Sequence, residues 1–252
     1  MPWLVAHRGA MTEAPENTKA AFDKAVFYPI DGIELDVQIT RDGIPVIFHD
    51  KTLRKINGNT KTVSDYTVEE LRDFKWGLWF SNDYQSEKIL TLEQVLLYYS
   101  PKTRLFIEIK SAPNRPKKTL YEKLPALVTK LIRDIVPAEF IDNMHILSFD
   151  KNIINLAYQN DPDLNYVLNL KNPAVDLTAL EMDILQGSCL AYNKLTREII
   201  SFFHNHNKKV MTYSCNTRKI IKSAISLKVD VIMTDDPGSV YGYFSEALQK
   251  EY

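Results

Sequence analysis

Lys209-Val-Met-Thr-Tyr213 is followed by Thr217–Leu227, whose apolar residues recur at helical spacing, and then by Asp230-Val-Ile-Met-Thr234. The outer two runs are short and apolar at their centres, and most of the comparable runs along the chain are nearly all apolar. A strand without polar alternation is covered on both faces, and a helix between two such strands makes them parallel neighbours. This unit repeats along the chain. Comparable runs stand at Trp3–His7, Ile33–Val37, Arg104–Ile109, Met144–Ser148, Asn165–Asn169 and Gly187–Ala191, making eight in all. Helical periodicity fills the remaining gaps at Glu16–Phe27, Leu120–Ile135, Lys151–Gln159, Ala174–Met182, Thr196–Asn205 and Gly238–Lys250. Eight strand–helix units are the number that closes a barrel, so the expected fold is α/β, a (β/α)8 TIM barrel.

With 252 residues, 45% of them hydrophobic and 25% charged, the chain can bury one large core. It contains no internal repeat, low-complexity tract or linker, so residues 1–252 are read as one barrel domain. Thirty-one Lys and Arg against thirty-two Asp and Glu give a formal charge of −1, which argues against nucleic acid or an anionic membrane as partner. Any anion must be caught by a local site. No basic leader opens the chain, and no apolar run is long enough for stable membrane insertion; a cytoplasmic location is expected. Cys189 and Cys215, the only cysteines, sit in apolar stretches and read as reduced core thiols. Nothing in the sequence sets the oligomeric state.

One segment departs from the plain repeat: Glu34-Leu-Asp-Val-Gln-Ile-Thr-Arg-Asp-Gly-Ile-Pro-Val-Ile-Phe-His-Asp50. Asp42-Gly43 between two extended runs signals a tight hairpin. A two-residue turn would pair Arg41 with Ile44, Ile39 with Val46 and finally Asp36 with His49, partners roughly 4.5–5.5 Å apart at Cα. Residues from Lys51 to about Leu90 then form an insertion after the second barrel strand. Within it Thr67-Val-Glu-Glu70 has capping-box spacing, as does Thr91-Leu-Glu-Gln94 just beyond, and Asp150 is placed to cap the helix at Lys151. Trp76, Trp79 and Phe80 read as local core, and the basic stretch Ala112–Lys118 as a solvated loop.

Side chains alternate along a strand, so Glu34 and Asp36 share a face, as do Glu108 and Lys110. Near strand ends, where barrels assemble their sites, the three acids form a hard oxygen cluster for one divalent cation, Mg²⁺ or Ca²⁺, with Mn²⁺ also suited. The cation removes the repulsion that would otherwise oppose their burial. Arg8 and Lys110 add a donor fork and a point charge that match phosphate oxygens. His7 and His49 flank this position as a base and an acid, because imidazole titrates near neutrality. A single Glu-x-Asp or a single His on a strand is usually structural. The convergence of seven such groups at one end of three neighbouring strands is what points to chemistry. His145, His204 and His206 stand apart and read as structural or surface residues.

His7-Arg8-Gly9, Pro15-Glu16-Asn17-Thr18, Glu34-Leu35-Asp36-Val37, Asp42 to Asp50, Glu108-Ile109-Lys110, Ser148-Phe149 and Thr234-Asp235-Asp236-Pro237 occur in an order and spacing that resembles the glycerophosphodiester phosphodiesterase family. The resemblance implies a cation held by Glu34, Asp36 and Glu108, His7 and His49 as the acid/base pair, and phosphate contacts from Arg8 and Lys110. It implies hydrolysis of a small-molecule glycerophosphodiester to sn-glycerol 3-phosphate and an alcohol, with His7 as base and His49 as acid. Tyr213 stands where the family often carries Trp, at the alcohol-binding pocket, so it is counted as a substrate contact while the head group stays open. Other departures are Leu90 in place of a usual Pro, and Val229-Asp230-Val231 where the family has glycines. A lysophospholipase D-like activity and a non-catalytic phosphodiester-binding barrel are the alternatives.

Overall fold

A computed structural model describes residues 1–112, 115–171, 177, 180 and 182–249. The strands are β1 (Trp3–His7), β2 (Gly32–Ile39), β3 (Pro45–Ile47), β4 (Arg104–Ile109), β5 (Met144–Ser148), β6 (Asn165–Leu170), β7 (Gly187–Ala191), β8 (Lys209–Tyr213) and β9 (Val231–Thr234). All except β3 pair in parallel around a closed ring, in which β1 meets both β2 and β9. This is the expected eight-stranded barrel, with β3 added antiparallel to β2. Two apolar layers hold it. Val5, Phe106, Leu147, Val167, Cys189, Met211, Val231 and Met233 fill the interior. A larger layer, including Leu35, Ile107, Ile146 and Ile232, packs the outer strand faces against the helices.

The helices are α1 (Lys19–Phe27), α2 (Arg54–Asn57), α3 (Val68–Arg72), α4 (Leu92–Tyr99), α5 (Lys118–Tyr121), α6 (Leu124–Ile135), α7 (Lys151–Asn160), α8 (Arg197–Asn205), α9 (Arg218–Ser226) and α10 (Pro237–Gln249). Thr18, Thr67, Thr91, Asp150, Thr196 and Thr217 each accept a backbone N–H in the first turn of the helix that follows, satisfying donors that the helix cannot. Both anticipated capping boxes form, at Thr67/Glu70 and Thr91/Gln94. The helix expected at Ala174–Met182 falls mostly outside the described residues, where Met182 opens a short 3-10 turn. The helix expected from Glu16 starts at Lys19, because Asn17 takes a left-handed conformation with φ 59°.

The hairpin differs from its expected register by one residue. Val37 lies opposite Ile47, Gln38 opposite Val46 and Ile39 opposite Pro45. The loop has three residues, not two, and closes with the Thr40 amide donating to the Ile44 carbonyl at 3.1 Å. Gly43 supplies the left-handed position such loops need, with φ 83°. Asp42 is engaged elsewhere, its carboxylate accepting the Val68 amide at the start of α3 at 3.1 Å. In consequence Phe48, not His49, sits across from Asp36, donating its N–H to the Asp36 carbonyl at 2.9 Å.

Between β3 and α4, Phe48, Leu53, Val63, Leu71, Trp76 and Ile89 bury a small apolar cluster of their own. Trp76 belongs to it, donating its indole N–H to the Leu71 carbonyl at 2.8 Å. Trp79 does not: it is exposed, and the ring lies under the Lys55 ammonium at 4.6 Å. Phe80 packs edge-on against Trp79 and Tyr84 at the surface of this segment, outside the cluster. Of the stretch Ala112–Lys118, residues 113 and 114 lie outside the described residues, and Lys117 is tethered, its Nζ pairing with Asp65 Oδ1 at 2.6 Å. Cys189 and Cys215 are both free and buried.

His145 sits fully inside the barrel, its ring 4.5 Å from that of Phe106 and its Nδ1 2.8 Å from Gln186 Oε1. Burial holds the imidazole neutral, pushing its pKa from 6.5 down to about 3. The unfolded chain therefore binds a proton that the folded chain refuses, and stability falls as pH drops below 6.5. Urea unfolding at pH 7 and pH 5 should show a loss of about 2 kcal/mol from this residue, at about 1.4 kcal/mol per pH unit. His145→Gln should remove that part of the slope; an unchanged slope would show that His145 does not set it.

Candidate active site

Parallel strands deliver their C-terminal ends to one rim, and every proposed site residue lies there. His7 ends β1, Glu34 and Asp36 lie on β2, Glu108 is on β4 with Lys110 just past it, and Tyr213 ends β8. Ligand oxygens of Glu34, Asp36 and Glu108 all lie within 4.8 Å of one another. The side chains are buried, Glu34 at 2% exposure and Asp36 at 0%. Two cations answer three acids. Lys110 Nζ lies 2.7 Å from Asp36 Oδ1 and also contacts Glu108 Oε1. Arg8 Nε lies 3.1 Å from Asp36 Oδ2, while the Arg8 amide donates to Glu34 Oε2 at 3.1 Å.

The balance is uneven. Burial would raise Asp36, but Lys110 and Arg8 reverse this and hold it well below the usual carboxylate range. Burial and the charges of Asp36 and Glu108 push Glu34 well above that range. Glu108 is raised too, first by burial and then by Asp36. Lys110 rises above the usual ammonium value because Asp36 and Glu108 outweigh the effect of burial. Three clustered oxygen donors with surplus negative charge fit a hard divalent cation.

Local backbone geometry makes the arrangement possible. Arg8 is left-handed, with φ 57°, so its amide and its guanidinium address different acids. Gly9 follows with φ 83°, and a Cβ there would stand 2.7 Å from the Ala21 backbone. The close approach of this turn to α1 therefore requires glycine. Asn17, just before α1, donates Nδ2–H to Asp36 Oδ2 at 2.8 Å.

Each histidine is oriented by a carboxylate. His7 Nδ1 lies 2.7 Å from Asp235 Oδ1, and His49 Nδ1 lies 2.8 Å from Asp50 Oδ1. A carboxylate only accepts, so both rings donate from Nδ1 and keep Nε2 for other work. His7 Nε2 stands 3.8 Å from Glu34 Oε2, and the ring stacks against Tyr213 at 5.8 Å. Asp235 also accepts from Ser214 Oγ at 3.1 Å and Asn216 Nδ2 at 2.6 Å. Burial alone would raise its pKa; the bond to His7 and these donors lower it. His49 reaches the mouth by a different route from the one its sequence suggested. β3 ends at Ile47, and the irregular chain beyond it brings the imidazole to the rim. His7, Arg8, Glu34, His49, Glu108 and Lys110 line one cavity of about 140 Å³, together with Tyr213 and Asn169.

Asp235, Asn17 and Asn169 were given no role from sequence, although the first two fall in motifs quoted above. Asn169 donates Nδ2–H to Glu108 Oε2 at 3.2 Å, and its carbonyl oxygen is buried without a partner among the described residues. A polar residue inside an otherwise apolar barrel strand was the signal available for it.

Residues 7–239 match the family described as the glycerophosphoryl diester phosphodiesterase family. The chain belongs to that family. It is 32% identical over 237 residues to a glycerophosphodiester phosphodiesterase of Caldanaerobacter subterraneus subsp. tengcongensis, covering 93% of this chain and 94% of that one. It is 28% identical over 251 residues to a glycerophosphodiester phosphodiesterase of Bacillus altitudinis, covering 94% and 96%. Its fold matches that of an Oleispira antarctica phosphodiesterase solved with the product sn-glycerol-3-phosphate, with a TM-score of 0.87, 24% identity, and coverage of 99% of this chain and 97% of that one. Among the described residues no helix is long and apolar enough to cross a membrane.

The raised Glu34 pKa carries a testable consequence. A carboxylate whose folded pKa lies above its unfolded value destabilises the fold as pH rises past 4.5. In chelator, Glu34→Gln should therefore melt higher than the parent, by a margin that grows from pH 5 to pH 8. Adding Mg²⁺, Ca²⁺ or Mn²⁺ should reverse the order by stabilising only the parent. Equal cation-induced shifts in Tm for both proteins would remove Glu34 from the ligand set.

Proposed function

We propose that this chain hydrolyses glycerophosphodiesters to sn-glycerol 3-phosphate and an alcohol, with one divalent cation held by Glu34, Asp36 and Glu108. The observation that carries this reading is one small cavity in which two buried acids, two cations and two carboxylate-anchored histidines meet, with the third acid, Asp36, buried against both cations. Family membership and the product seen in the Oleispira antarctica relative support it. The cation, when bound, acts as a Lewis acid and neutralises the acids beneath the phosphate.

The protein's own groups do the rest. Arg8 and Lys110 stabilise charge that develops on the phosphate oxygens, and both stay protonated because buried acids surround them. His7 is the base: Asp235 accepts a hydrogen bond from its Nδ1–H, leaving Nε2 to accept the proton of the attacking water, or of a glycerol hydroxyl whose cyclic ester water then opens. The new P–O bond forms as the bond to the alcohol breaks, and His49 gives its proton to the departing alkoxide. Tyr213, expected at the alcohol-binding pocket, instead stacks on His7 and lines the small cavity, so on this reading it walls the glycerol half of the substrate.

On an alkyl substrate such as glycerophosphocholine, His49→Ala should cut turnover roughly 10²–10⁴-fold. On an aryl glycerophosphodiester, whose phenolate needs little protonation, the same variant should lose much less. His7→Ala and Asp235→Asn should impair both substrates. Equal losses on both ester types in His49→Ala would overturn its assignment as the acid. No glycerol 3-phosphate from any glycerophosphodiester with the metal-loaded protein would overturn the reading itself.

A further inference from the structure

The small cavity shares His49, Glu108, Lys110 and Phe149 with a second, larger cavity of about 720 Å³. The outer wall of the larger one carries Lys51, Arg54, Lys55 and Lys171. Two of the cations lining it are already answered. Lys55 Nζ lies 2.9 Å from Glu16 and 3.5 Å from Asp50, and Lys110 is held by Asp36 and Glu108. Lys51, Arg54 and Lys171 have no acidic partner among the described residues; Lys171 only leans over the Phe149 ring at 5.1 Å. Unpaired lysines on a convex surface are ordinary. These three cations face a concavity, in a chain whose net charge is −1, so the excess is local. Asp50 and Glu108 also line it, but each is already paired, Asp50 with His49 and Lys55 and Glu108 with Lys110, so the unanswered charge in the cleft is positive and concentrates anions there.

The position of His49 gives the cleft a chemical meaning. Under the phosphodiesterase reading, on which this inference rests, the glycerol phosphate half occupies the small cavity and His49 protonates the leaving oxygen. His49 stands in the wall common to both cavities, so the alcohol departs into the larger one. We infer that this cavity is the leaving-alcohol subsite and selects glycerophosphodiesters whose alcohol carries a phosphate of its own. A phosphate on the alcohol would meet Lys51, Arg54 and Lys171; the guanidinium fork of Arg54 suits its oxygens and the two ammonium groups add point charge. A quaternary ammonium alcohol would meet three uncompensated cations instead.

The test uses a matched pair, sn-glycero-3-phosphoinositol and sn-glycero-3-phosphoinositol 4-phosphate, which differ only in the second phosphate. At low ionic strength kcat/KM should favour the phosphorylated substrate by roughly 10-fold or more, chiefly through KM, as three exposed pairings of modest strength would give together. The ratio should fall toward one as salt is raised. It should also fall toward one in the triple variant Lys51→Gln, Arg54→Gln, Lys171→Gln, with circular dichroism and Tm confirming that the variant is folded. A parent ratio near one, with both substrates cleaved, overturns the subsite and leaves the phosphodiesterase reading standing. So does a ratio near one with both substrates inhibited equally by inorganic phosphate, which would assign the cations to a free anion. Cleavage of neither substrate overturns both readings together.

Discussion

Glu34, Asp36 and Glu108 are held inside the mouth of the barrel against their mutual repulsion, and much of the surrounding structure answers that constraint. Strand alternation puts Glu34 and Asp36 on the same inward face, and β4 pairs so that Glu108 lies directly beside Asp36. Neither water nor distance relieves the charge, since all three are buried. Relief comes from the flanking strands: Arg8 just past β1 on one side and Lys110 just past β4 on the other. For Arg8 to serve two acids the chain must turn left-handed at once, which fixes Gly9 against α1 and draws Asn17 onto Asp36. Even so the compensation is incomplete, and Glu34 absorbs the shortfall as a raised pKa. The charge balance left open is the one that the proposed divalent cation would complete.

The two histidines are fixed by the same chemistry but with different stiffness. His7 is oriented by Asp235, which follows β9, and β9 is joined to β1 where the barrel closes. Asp235 is in turn held by Ser214 and Asn216, which follow β8. Three strand ends thus set one imidazole. His49 is oriented by the adjacent Asp50, on irregular chain leading into the segment between β3 and α4, with Lys55 and Glu16 close by. The group proposed to begin the reaction is locked to the scaffold. The group proposed to end it rides on the insertion.

What the sequence disclosed follows from how local each signal is. Strand runs, helix caps and the shared face of Glu34 and Asp36 depend on period-two alternation or on contacts three residues apart, so the structure has them as expected. The hairpin register differs, because Asp42 spends its carboxylate on the Val68 amide and Thr40 closes a longer loop. Val68 lies 26 residues from Asp42, outside any short window. His49 was placed at the site by a register that the structure does not have; it arrives there because the ladder stops at Ile47. Asp235 could not be assigned to His7 from spacing, since 228 residues separate them and only barrel closure joins them. Asn17 was absorbed into an expected helix by its apolar neighbours, and its left-handed backbone is visible only in the fold. Trp79 and Phe80 were read as core by composition alone, which cannot tell an aromatic residue under a lysine from one inside a cluster.

The two cavities divide recognition along the same line as the histidines. The smaller one is walled by residues on or just past barrel strands, with His49 and Phe149 at its edge. Each of those wall residues is tied to the charge balance of the acids or to interior packing. A change in one disturbs the others, so this half of the site is constrained to a single small ligand shape. The larger cavity takes Lys51, Arg54 and Lys55 from the segment after β3 and Lys171 from just beyond β6. Of these only Lys55 is bound into the site's ion pairs. Lys51, Arg54 and Lys171 are not among the groups that chiefly set the pKa values of Glu34, Asp36 and Glu108. On the proposed reading, selection of the alcohol is thereby separated physically from cleavage of the bond, with His49 in the wall between the two cavities.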